Sequence, residues 1–191
     1  MYIYLFAVDL ELANYILFWT SFPPVSDESS APLIVGGEVS RLGAFPHQVS
    51  FQSDGRHFCG GSIISSEAIL TAAHCCAYTS GLTVLAGANN IEFPEAGSQE
   101  IQINQRIIHP KYDDSLINDI CILRLSSTLV LSNETRTAVV KLPQAGYTVT
   151  GMAVVSGWGA TSEGGPGTSV LMNVTVPVIS DEEWWVLNDK N

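Results

Sequence analysis

The chain has 191 residues, 46% hydrophobic and 14% charged, which supplies enough apolar material for a packed core and too little charge for a disordered segment. Nineteen acidic residues against eight Lys and Arg leave a net charge of −11, and 15 of the acidic residues lie beyond position 33, so the acidity belongs to the body of the chain. Phosphate recognition needs clustered Lys and Arg, so nucleic acid is excluded as a partner.

Residues 1–33 carry apolar runs at 2–8 and 12–19, broken by Asp9 and Glu11, with no Lys or Arg before Arg41. A secretory leader opens with a basic patch and an unbroken apolar run, and a membrane span needs about 20 apolar residues. The stretch therefore reads as an atypical leader, or an incorrectly joined first exon, rather than a transmembrane anchor. Residues 21–32, rich in Ser and Pro, read as a flexible pro-segment.

From residue 34 onward, short β-prone runs are punctuated by Gly, Pro, Asn and Asp, with no long run of helical period. Strands are predicted at 48–52, 61–65, 68–71, 83–86, 101–108, 120–125, 153–156 and 170–178. This spacing implies antiparallel all-β barrels. Residues 186–191 carry no recognisable motif.

Seven blocks occur in order: Ile34-Val35-Gly36-Gly37, Pro46-His47-Gln48-Val49-Ser50, Phe58-Cys59-Gly60-Gly61-Ser62-Ile63-Ile64, Thr71-Ala72-Ala73-His74-Cys75, His109-Pro110-Lys111-Tyr112, Asn118-Asp119-Ile120 and Ser156-Gly157-Trp158-Gly159. The set resembles the trypsin-like serine peptidases of the chymotrypsin fold, over roughly residues 34–183. The resemblance implies two antiparallel β-barrels with the catalytic residues in the cleft between them. It divides the chain into a leader or pro-segment (1–33), a complete first barrel (34–131), a connection (132–149) and the start of a second barrel (150–191).

By the same resemblance His74 is the general base and Asp119 the buried carboxylate that holds its tautomer, on a strand shared with Ile122 and Leu123. A neutral imidazole can take a hydroxyl proton and return it to the leaving amine, which few other side chains can do near neutral pH. The nucleophile belongs in a Gly-Asp-Ser-Gly-Gly turn whose amides also form the oxyanion hole, and no such segment occurs in the 191 residues. Ser62, Ser169 and Ser180 lack that context. The expectation is thus a trypsin-like serine endopeptidase by family, C-terminally truncated in this sequence and inactive alone. Its alternative is a non-catalytic secreted homologue that binds proteins.

Further expectations follow from the resemblance. Activation cleavage would fall between Leu33 and Ile34, and Leu33 does not suit a trypsin-like activator. Cys59 and Cys75 match the bridge that clamps the histidine turn, whereas Cys76 and Cys121 have no partner there. They read as free thiols, Cys121 buried, with a Cys76–Cys121 bridge as the less favoured alternative. Residues 88–98 match the family's calcium loop, but Ala88 and Ser98 stand where acidic ligands would, and Glu92, Glu95 and Glu100 read as a solvated set. No metal or cofactor is expected. Asn133 and Asn173 head Asn-X-Thr sequons and are glycosylation candidates. Partners are protein or peptide substrates or peptidase inhibitors, the location is extracellular, and no membrane span is expected.

Overall fold

The computed structural model describes residues 37–77, 81–113, 117–144, 147, 150–161 and 165–179. Leu33, Ile34, Ser180 and the acidic residues 181–183 lie outside them.

Nine strands follow in chain order: β1 (Glu38–Val39), β2 (Gln48–Ser53), β3 (Arg56–Ser65), β4 (Ala68–Thr71), β5 (Leu82–Ala86), β6 (Gln99–Ile108), β7 (Cys121–Leu125), β8 (Met152–Gly157) and β9 (Met172–Pro177). The described residues contain one helical element, a single 3₁₀ turn at His74–Ala77. Strands β2 to β7 close into an antiparallel barrel in the order β2-β3-β4-β7-β6-β5, and β1-β9-β8 form a separate three-stranded sheet. The architecture is all-β, with one closed barrel and a partial second sheet.

Closure follows from the residues. Val49, Phe51, Ile63, Ile69, Val84 and Leu123 are fully buried inside the barrel, and Phe51 and Phe58 pack with ring centroids 4.6 Å apart. Register shifts at Phe51/Gln52, Ile63/Ser65 and Ile103/Gln105 bend the ladders, as bulges do at barrel corners. At Gly61 the sheet is too tight for a side chain: an added Cβ would lie 2.7 Å from Ile69 Cγ2. Glycine is required there by close approach.

Strand β2 is buried on both faces. Val49 and Phe51 point into the core, while Gln48, Ser50 and Gln52 are covered on the outside. On that side Ser50 meets Gln52 and His57, and Gln48 meets the second sheet. Ser156 Oγ on β8 donates to Gln48 Oε1 at 2.9 Å, Trp158 Nε1 donates to the Asn89 carbonyl at 2.9 Å, and Asn90 pairs with Val170 in an isolated bridge. Barrel and sheet are thus joined by directed hydrogen bonds between buried polar groups, which would be costly if left unmade.

Eight strands match the sequence expectation, β4 at both ends and the other seven with shifted ends, β3 beginning five residues earlier than expected; β1 was not foreseen. Its two exposed residues carry no alternating pattern, and it forms because Glu38 and Val39 find Asn173 and Met172 on β9. A strand was expected at 120–125, with Asp119 placed on a buried strand by its neighbours Ile120, Ile122 and Leu123, but β7 begins at Cys121. Asp119 lies in the turn before it, because Asn118 adopts a positive φ of 58° and Ile120 N–H closes a tight turn onto the Asn118 carbonyl at 2.7 Å.

Candidate active site

His74 opens the 3₁₀ turn that follows β4, and Asp119 ends the loop that leads into β7. Strands β4 and β7 are neighbours, and their ladder runs to the pair Thr71↔Cys121, which delivers the two turns to the same rim of the barrel. There Asp119 makes a two-pronged contact. Its Oδ1 accepts the His74 backbone N–H at 2.9 Å, and its Oδ2 lies 2.7 Å from His74 Nδ1. An ionised carboxylate only accepts, so the hydrogen sits on Nδ1 and Nε2 is left as the proton-accepting atom of the neutral ring.

The pair is shielded but not sealed, with side-chain exposures of 24% for His74 and 15% for Asp119. Burial acts to raise the Asp119 pKa, but the hydrogen bonds from His74 and Ala73 and the charge interaction with His74 outweigh it. Its carboxyl is held below the usual value of 3.8. The aspartate therefore stays ionised and orients the imidazole, and can stabilise an imidazolium when one forms.

Both cysteines that follow His74 are bridged. Cys59 joins Cys75, as expected from the resemblance. Cys76 joins Cys121, which overturns the expectation of two free thiols. Spacing along the chain could not reveal this contact, because it depends on register: the Thr71↔Cys121 pairing and the tight turn after Thr71 place the two Cα atoms 6.6 Å apart, within bridging range. Cys59, Cys75 and His74 bring three potential metal-ligand atoms within 4.8 Å of one another. With both sulfurs in a disulfide, neither offers the thiolate that a zinc site of this type needs.

The remaining candidates are dispersed. Ser62 is buried in β3, paired with Gln48 and Leu70, and the Ser169 carbonyl accepts Ile91 N–H at 2.8 Å. In the 88–98 loop, Glu95 is engaged by backbone, accepting the N–H groups of Asn89 at 2.9 Å and Asn90 at 3.3 Å. Asn133 is exposed, whereas Asn173 is partly buried and its Nδ2 donates to Ser40 Oγ at 3.1 Å and to the Glu38 carbonyl at 3.4 Å.

Another histidine was missed altogether. Ser50 Oγ accepts from Gln52 Nε2 at 3.2 Å and is hydrogen-bonded to His57 Nδ1 at 2.8 Å; the His57 ring also meets Trp158 edge-on at 5.4 Å. Desolvation pushes the His57 pKa down to about 4, so the ring is neutral at physiological pH. Ser50 is fully buried, so this Ser–His contact offers no accessible nucleophile. A lone His on an otherwise unremarkable strand gives no sequence signal; only the hairpin register creates the contact.

Comparison of the sequence with known proteins shows its family. The trypsin family profile matches residues 34–185. This chain belongs to the trypsin family. Trypsin-1 of Astacus astacus is 42% identical over 160 residues, covering 78% of this chain and 67% of that protein. Trypsin of Sus scrofa is 39% identical over 162 residues, covering 84% and 66%. Ovochymase-2 of Mus musculus is 36% identical over 155 residues, covering 78% of this trypsin-family chain but 26% of its own length. The chain thus spans two thirds or less of most of these relatives. No helix among the described residues is long and apolar enough to cross a membrane.

Proposed function

We propose that this chain carries the base and orienting carboxylate of a secreted, trypsin-like serine endopeptidase, with His74 as general base and acid and Asp119 as its positioning partner. One observation supports the reading above the rest: Asp119 grips His74 at two points, backbone N–H and Nδ1, which fixes both the tautomer and the ring plane. A structural histidine needs no such double hold. The reaction is attack by an activated serine on a peptide carbonyl, its proton passing to Nε2 and then to the leaving amine. Substrates are proteins or peptides, with peptidase inhibitors as competing ligands, and activation by cleavage between Leu33 and Ile34 belongs to the same reading.

The Gly-Asp-Ser-Gly-Gly nucleophile segment is not among the 191 residues. The chain by itself is therefore expected to be inert towards a fluorophosphonate probe, which labels only an activated serine. A chimaera in which the C-terminal portion of Trypsin-1 of Astacus astacus follows residue 179 supplies the serine and is expected to label and to hydrolyse peptide esters. Stoichiometric labelling of 1–191, or an inert but well-folded chimaera, would refute this assignment.

A further inference from the structure

The two turns that carry His74 and Asp119 lie beyond the end of the β4–β7 ladder, at Thr71↔Cys121. Each turn is held to its own surroundings, the His74 turn by the Cys59–Cys75 bridge and the Asp119 turn by His109 N–H on the Ile120 carbonyl at 3.0 Å. The His74 turn closes through Cys76 N–H to the Ala73 carbonyl at 2.9 Å, and the Asp119 turn through Ile120 N–H to Asn118 and Asn118 Nδ2 to the Lys111 carbonyl at 2.9 Å. Among the described residues, the two turns are joined by the hydrogen bonds of Asp119 with Ala73 and His74 and by the Cys76–Cys121 bridge. Cys76 stands two residues after His74 and Cys121 two residues after Asp119. The bridge thereby replaces a covalent separation of 45 residues with a short direct path.

We infer that Cys76 and Cys121 are positioning residues, their disulfide clamping the histidine turn to the aspartate turn so that the Nδ1–Oδ2 hydrogen bond is closed before any substrate arrives. The inference rests on the reading of His74 and Asp119 as the catalytic pair. Both ends of the bridge are anchored. Cys76 and Cys121 are each 1% exposed, and the Cys76 carbonyl accepts Arg106 Nη1 at 2.7 Å from β6. Strand β6 in turn pairs with β7, through Ile108↔Cys121 and Arg106↔Leu123. The clamp is therefore tied to the same ladder at both ends. The Cys59–Cys75 bridge cannot serve this purpose, since it ties the histidine turn to β3 and leaves Asp119 untouched.

The test uses the whole 191-residue chain and follows the His74 Nδ1–H by proton NMR, as its low-field resonance and its exchange with water. Cys76→Ala/Cys121→Ala is compared with Val84→Ala, a core truncation on β5, which pairs with neither β4 nor β7. Under conditions where both remain folded, the double variant is expected to speed Nδ1–H exchange by about tenfold or more, with the Val84→Ala protein near wild type. Equal acceleration in the two would overturn the clamp, since it would reduce the bridge to general stability.

Cys76→Ala/Cys121→Val, which restores packing volume, replaces the alanine pair if that pair does not fold. Should neither fold, the bridged protein decides: the protection of its Nδ1–H, relative to the faster intrinsic exchange of an imidazole N–H, is expected to equal that of the Ile69 and Leu123 amides, and protection about tenfold lower would overturn the proposal. None of these readouts involves peptide hydrolysis, so failure of the clamp and failure of the peptidase reading are separable.

Discussion

At the scale of single residues, the arrangement around His74 divides labour between charge and geometry. Asp119 stays ionised through its hydrogen bonds to His74 and Ala73, which override the opposing effect of burial. An asparagine there would keep the shape and lose the charge, and its amide would present a donor where Nδ1–H needs an acceptor, favouring the wrong tautomer. In the chimaera with the Astacus trypsin segment, Asp119→Asn is therefore expected to lower kcat roughly 10⁴-fold, the loss known for the same change in a chymotrypsin-fold peptidase, with a much smaller change in KM. A fall of less than about tenfold would show that Asp119 does not orient the base.

At the scale of elements, the strands were legible in the sequence where a buried face repeats every second residue, as in β7, or where a short β-prone apolar run is bounded by turn residues, as in β4 and β5. The blocks around His74 and Asp119 named the pair before any distance was known. What stayed hidden depends on contacts between elements. The Cys76–Cys121 bridge needs the β4–β7 register, the Ser50–His57 contact needs the β2–β3 hairpin, and β1 exists only against β9. The two sequons show the same limit, being alike as motifs and unlike as sites. Asn133 lies exposed in the connection after the barrel, whereas the Asn173 amide is a tie between β9 and β1. An oligosaccharide on Asn173 would replace one amide hydrogen and crowd that strand pair. Secretion of the chain from a glycosylating host should therefore give Asn133 modified and Asn173 bare, read by mass spectrometry of deglycosylated peptides; occupancy at Asn173 equal to that at Asn133 would refute the distinction.

At the scale of the whole molecule, the junction between barrel and second sheet holds one buried titratable group whose charging opposes the folded state. His57 sits there, hydrogen-bonded to Ser50 and edge-on to Trp158, with its pKa pushed down to about 4 by burial. In the unfolded chain the same imidazole titrates near 6.5, so between those values the unfolded state binds a proton that the folded state refuses. Stability from this group is thus full above about pH 7 and declines as pH falls towards 4, by up to about 3 kcal/mol in all. Asp119 acts in a separate window. Its folded pKa is depressed, so its contribution is present above 3.8 and lost only as pH drops below that value. Urea unfolding at intervals from pH 7.5 to 3 should show both phases in the wild-type protein. His57→Gln, which keeps a hydrogen-bonding side chain facing Ser50 but cannot titrate, should flatten the upper phase and leave the lower one. Parallel curves for the two proteins between about pH 7 and 4 would mean that His57 is not held neutral by the junction, and that the barrel and the second sheet do not protect it from water.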